Sequence, residues 1–200
     1  MDSNASTPRP HVKARPTTYG GVQFRSRLEA RWAAFFDCMG WRWEYEPFEG
    51  NNYIPDFVLL GKAPVAVEVK PATSVGELRQ YAAKVINGLD GVWQHDILLV
   101  GLAPLLGPCE SFAASRVIGL LFESYEPDEF TTTSGWVDGG GTWMRCNECG
   151  LTTFHHDSMW YQARICGHAD GDHHIGKAPE QLIRDAWATA ANATQWKSPA

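Results

Sequence analysis

The residues best suited to chemistry lie between Tyr53 and Lys70, in YIPDFVLLGKAPVAVEVK. Asp56 follows Pro55, a turn runs from Gly61 to Pro64, and an apolar strand is then interrupted by Glu68 and Lys70. Side chains two apart in a strand share a face, so Val65, Val67 and Val69 point one way and Ala66, Glu68 and Lys70 the other. An acid and a lysine on such a strand are costly to bury unless they pair or hold an ion. Two carboxylates and a lysine at the ends of adjacent strands make a divalent-cation site with a fixed positive charge beside it. That is the minimum apparatus for hydrolysing a phosphodiester.

A second set lies near the C-terminus. Cys146-Asn-Glu-Cys149-Gly150 has the spacing of a zinc knuckle, with glycine allowing the tight turn. Arg164-Ile165-Cys166-Gly167-His168 has the shape of a second knuckle, but alanine stands at 163 where its first cysteine belongs. A four-cysteine ribbon is therefore excluded. The fourth ligand must come from His155, His156, His168, His173 or His174, with His168 and His173 favoured because they follow Cys166 directly. A Cys₃His set is a closed structural geometry, to which no chemistry is assigned. Cys38 and Cys109 stand alone in apolar surroundings and read as buried thiols.

The elements that must position these residues follow from periodicity. Leu28, Trp32, Phe35, Phe36 and Met39 form one apolar helical stripe, opened by the capping box Ser26-x-x-Glu29 and stopped at Gly40. Trp41, Trp43 and Tyr45 alternate with Arg42, Glu44 and Glu46 in a half-buried strand ended at Pro47. Strands over Tyr53 to Leu60 and Val65 to Lys70 complete an antiparallel meander. A second helix starts at the box Ser74-x-x-Glu77 and buries Leu78, Tyr81, Ala82, Val85 and Leu89. Asp96 to Gly101 reads as a central strand, and Arg116 to Phe122 as another. The order predicts an α/β sandwich with a mixed sheet.

This reading divides the chain into a basic, unstructured tail over 1–18, a catalytic domain over 19–125 and a linker over 126–142. A zinc-ribbon-like module over 143–176 and a terminal helix and tail over 177–200 complete it. Six basic residues fall between Arg9 and Arg31 against one acid, Glu29, on a chain of net charge −6. Such a segment can guide a polyanion to one place. The apolar runs fall short of a membrane span and no secretory signal opens the chain, so a cytoplasmic setting is expected.

Pro55-Asp56, then Glu68-Val69-Lys70 after eleven intervening residues, with Glu29 on the preceding helix, resembles the PD-(D/E)XK nuclease superfamily. Phe24-x-Ser26-x-x-Glu29, Ile54-Pro55-Asp56-Phe57 and Val67-Glu68-Val69-Lys70-Pro71 are similar to the endonuclease subunit of heteromeric transposases and to small phage-encoded nucleases. The resemblance covers roughly residues 19–125 and implies a restriction-endonuclease-like αβββαβ core that cleaves DNA with Mg²⁺ or Mn²⁺. By the same resemblance Asp56 and Glu68 hold the metal, Glu29 joins directly or through water, and Lys70 orients water or stabilises charge on phosphorus. Arg25, Arg27, Gln80 and Lys84 are candidates for contacting the substrate strand. A protein partner or homodimer is compatible with this reading. The rival is a non-catalytic binding subunit that keeps the nuclease fold and zinc module as scaffold.

Overall fold

The computed structural model describes residues 14–109, 112–126, 134–157, 162–169 and 175–195. A hairpin of β1 (Thr17–Tyr19) and β2 (Val22–Phe24) leads into helix α1 (Arg27–Cys38). Ser26 caps α1 by accepting the Glu29 N–H at 3.1 Å, and Gly40, at φ +71°, lets the chain leave. Strands β3 (Trp43–Tyr45), β4 (Phe57–Leu59) and β5 (Val65–Val69) form the expected antiparallel meander. Helix α2 (Val75–Leu89), capped by Ser74, returns the chain to β6 (Ile97–Val100), which pairs with β5 in parallel. The order α1–β3–β4–β5–α2–β6 is that of the sequence-derived scheme.

Beyond it the chain adds β7 (Leu106–Cys109), β8 (Phe112–Tyr125), β9 (Gly135–Cys146), β10 (Thr152–His156), β11 (Ile175–Gly176) and α3 (Glu180–Ala193). The main sheet runs β10-β9-β8-β6-β5-β4-β3, with β7 on β8 and β11 on β9. Helices α1 and α3 cover one face, where Trp32, Phe35, Phe36, Phe57, Val67 and Ile183 share a core. Helix α2 covers the other with Leu78, Val85, Leu89, Leu99 and Leu120. Among the described residues no helix is long and apolar enough to cross a membrane.

Several expectations are corrected here. Residues 135–142 are not a linker but the first part of β9, which pairs along β8 and extends the same sheet. The glycines that suggested flexibility are buried, and a Cβ on Gly139 or Gly141 would run into His156 and Asp157 or into Ile118. The cysteine-bearing segment therefore grows from the sheet edge, and its Trp143 and Phe154 belong to the α1 core. The tail assigned to 1–18 lies mostly outside the described residues, but Thr17 and Thr18 are in β1. Cys38 is exposed, because it falls off the apolar stripe of α1; the Cys109 side chain lies outside the described residues. The strand expected over Tyr53 to Leu60 shrinks to β4, and that over Arg116 to Phe122 lengthens to β8.

Arg164 ties the new edge to the older core. It is 3% exposed, pairs with Asp96 at the start of β6, and donates to Glu123 Oε1 of β8 at 2.8 Å. Arg164→Ala leaves two carboxylates without their cation, and the expected loss in a urea melt is roughly 3–5 kcal/mol. An unchanged midpoint would show that the pairs contribute nothing net.

Candidate functional site

The register of the meander decides where the carboxylates meet. β3 pairs Tyr45 with Phe57, and β4 pairs Phe57 with Val67. Just past these pairs, Glu46 follows β3, Asp56 precedes β4, and Glu68 lies within β5. The Glu46 N–H donates to the Asp56 carbonyl at 3.0 Å, and the Val69 N–H donates to Asp56 Oδ2 at 2.8 Å. Val67 belongs to the α1 core, so alternation within β5 puts Glu68 toward the α2 side of the sheet.

Two cations flank the row. Lys70 pairs with Glu68, and its ammonium stands 5.6 Å from the centroid of the Tyr81 ring on α2. Arg25 pairs with Glu46 and reaches Asp56 Oδ1 at 3.4 Å. Glu29 arrives from the first turn of α1. It accepts the Ser26 hydroxyl at 2.6 Å, the Tyr45 hydroxyl at 2.7 Å and the Arg25 N–H at 3.2 Å. Four carboxylates thus stand against two cations, a surplus of two negative charges.

That surplus falls on buried groups. Asp56 is 6% exposed and Glu68 5%. Desolvation first, and the neighbouring Glu68 charge second, push the Asp56 carboxyl up to about 8. Glu68 Oε2 is buried, with the Tyr53 hydroxyl facing Glu68. Burial, with the Glu68 and Asp56 charges close by, also pushes the Tyr53 phenol up. Asp56 and Glu68 could hold a hard divalent cation through their oxygens, although among the described residues this row does not gather three ligand atoms as closely as the cysteine cluster does.

Sequence reasoning missed Glu46, which it left on the solvent side of a strand. Its backbone is left-handed at φ +46°, a conformation costly for a residue with a side chain and typical of functional positions. Only the β3–β4 register brings it beside Asp56. Gln80 and Lys84 are exposed on α2, and among the described residues no hydrogen bond or ion pair joins them to this row. Arg27 is exposed at the start of α1.

The second site is built by two similar turns. In the first, the Gly150 N–H donates to the Cys146 carbonyl at 2.8 Å, with Gly150 at φ +73°. In the other, the Gly167 N–H donates to the Ala163 carbonyl at 2.7 Å, with Gly167 at φ +74°. Ala163 thus occupies the first-cysteine position of a knuckle whose missing ligand is supplied by His168. The ligand atoms of Cys146, Cys149, Cys166 and His168 all lie within 4.8 Å of one another. Among the described residues no other group of His, Cys, Asp or Glu gathers three ligand atoms that closely. His173 and His174 lie outside the described residues, while His155 and His156 are buried in β10, apart from the cluster.

The cluster suits a metal ion. Desolvation raises the Cys146 thiol, but the Cys149 and Glu148 backbone N–H groups, with Cys149 and His168, outweigh it and bring it down to about 7. Burial, with Cys149 and Cys146 nearby, pushes Cys166 up to about 12.

No family model, curated protein or solved structure matches this chain.

Proposed function

We propose that the chain is a metal-dependent DNA endonuclease of the PD-(D/E)XK type, with a structural zinc ion bracing one edge of its sheet. The observation that carries this reading is the buried carboxyl of Asp56 held beside Glu68, with Lys70 paired to Glu68. Asp56 and Glu68 would hold Mg²⁺ or Mn²⁺, with Glu46 and, through water, Glu29 adding charge to the same place. A bound divalent cation would polarise the phosphate and make its bound water more acidic.

The protein's own groups do the rest. Lys70 leaves Glu68 to meet the negative charge that grows on the phosphoryl oxygens, or to orient the attacking water. Tyr81 limits where its ammonium can go. Arg25, exposed and 3.4 Å from Asp56 Oδ1, would be placed to meet a phosphate beside that carboxyl. Tyr45 and Ser26 fix Glu29, so the α1 end of the site is set before substrate arrives.

Cys146, Cys149, Cys166 and His168 would hold Zn²⁺ in a closed set. The order α1–β3–β4–β5–α2–β6 and the mixed sheet are compatible with the restriction-endonuclease-like core this reading expects, and an origin in phage or mobile-element DNA processing belongs with the same reading.

The test is nicking of supercoiled plasmid by zinc-loaded protein with Mg²⁺ or Mn²⁺. Cleavage that appears with either ion and stops on chelation is the expected result. DNA binding without cleavage under any divalent ion would turn the reading to the non-catalytic scaffold.

A further inference from the structure

The basic N-terminal segment divides sharply by what its arginines touch. Arg25 is committed to Glu46 and Asp56. Arg31 stacks 3.8 Å from the Trp187 ring centroid and donates to the Trp187 carbonyl at 3.2 Å. Arg15 and Arg27 are exposed, and among the described residues neither has a carboxylate partner. Yet the β1–β2 hairpin brings them together. They line one cavity of about 200 Å³ with Thr17, Thr18, Thr194 and Gln195, and among the described residues no acid borders it. On a chain of net charge −6, two arginines lining one hollow without a carboxylate partner among the described residues make a place suited to an anion.

We propose that this cavity binds a backbone phosphate of nucleic acid and anchors the strand whose neighbouring linkage reaches the carboxylate row. The Thr17 hydroxyl donates to the Arg15 carbonyl at 3.1 Å and so fixes the backbone that carries Arg15. Gln195 gives one amide N–H to Asn192 and keeps a second for the ligand. Arg27 is two residues from Arg25, whose guanidinium reaches Asp56, and two from Glu29. The N-terminal end of α1 therefore gives one residue to the cavity, Arg27, and one to the carboxylate site, Glu29. The identity of the anion rests on the nuclease reading; the convergence of donors does not.

Binding of a short fluorescent DNA duplex, measured by anisotropy across a salt series without added divalent metal, tests the site in the full zinc-loaded chain. Arg15→Ala and Arg27→Gln are each expected to weaken binding about five- to tenfold and to reduce the slope of log K against log salt by about one. Both residues are exposed, so the variants should keep wild-type circular dichroism. Unchanged affinity and slope in both variants, or no duplex binding by wild type, would overturn the proposal. Plasmid nicking with unaltered binding by the variants removes the cavity and keeps the nuclease. Arginine-dependent binding without nicking keeps the cavity and removes the nuclease.

Discussion

Asp56→Asn is expected to reduce metal-dependent plasmid nicking by about a thousandfold or more while making the metal-free protein more stable at alkaline pH. The two effects share one cause. In the folded chain the Asp56 carboxyl holds its proton up to about 8, because it is desolvated and faces Glu68. The unfolded chain releases that proton near the ordinary value of 3.8. Between these values the native state binds more protons, so its stability is fully present below the lower one and falls as pH rises through the upper one.

Asparagine keeps an oxygen for the Val69 N–H and carries no charge to desolvate. At pH 9 the variant should exceed wild type by on the order of 2–4 kcal/mol, with the difference vanishing toward pH 4. Mg²⁺ should recover part of that gap for wild type alone. A variant less stable than wild type at pH 9, without metal, would show that Asp56 is an ordinary paired carboxylate.

Cys146→Ser gives the second large effect, a loss of at least about 5 kcal/mol, since structural zinc binding contributes roughly 10 kcal/mol to the folding of small domains. Cys146 is the last residue of β9, fully buried, and its knuckle turns β9 back into β10. The two strands carry Trp143 and Phe154 into the α1 core, and Trp41 donates to the Thr152 carbonyl at 3.1 Å. Loosening the knuckle should therefore reach the tryptophans of the main core. Zinc content should be one ion per chain, and its removal should lower the melting temperature and change tryptophan emission together. A zinc-free chain that melts with wild type would make the four ligands an incidental thiol cluster.

Much of this was legible before any coordinates. The capping boxes at Ser26 and Ser74 mark both helix starts, because a hydroxyl three residues ahead of a glutamate satisfies orphan N–H groups in any context. Val65 to Lys70 reads as an apolar strand interrupted by Glu68 and Lys70, and the vacant cysteine position at 163 already pointed to a histidine ligand. What stayed hidden depends on pairing between distant segments. Glu46 joins the carboxylate row only through the β3–β4 register, and a left-handed residue has no local signature in glutamate. Gly139 to Gly141 resemble a linker because glycine has low strand propensity, but here glycine is required by the close approach of β8 and β10. The hairpin that carries Arg15 is three residues a side, too short for alternation to reveal.

The most direct test of the central claim is to count Mn²⁺ bound by zinc-loaded protein, by paramagnetic resonance, in wild type and Asp56→Asn. The carboxylate row predicts a Mn²⁺ site in wild type that tightens as pH rises through about 8, where Asp56 gives up its proton, and that is missing from the variant. Equal Mn²⁺ binding by the two proteins, or none by wild type at any pH, would contradict a metal site at Asp56 and Glu68.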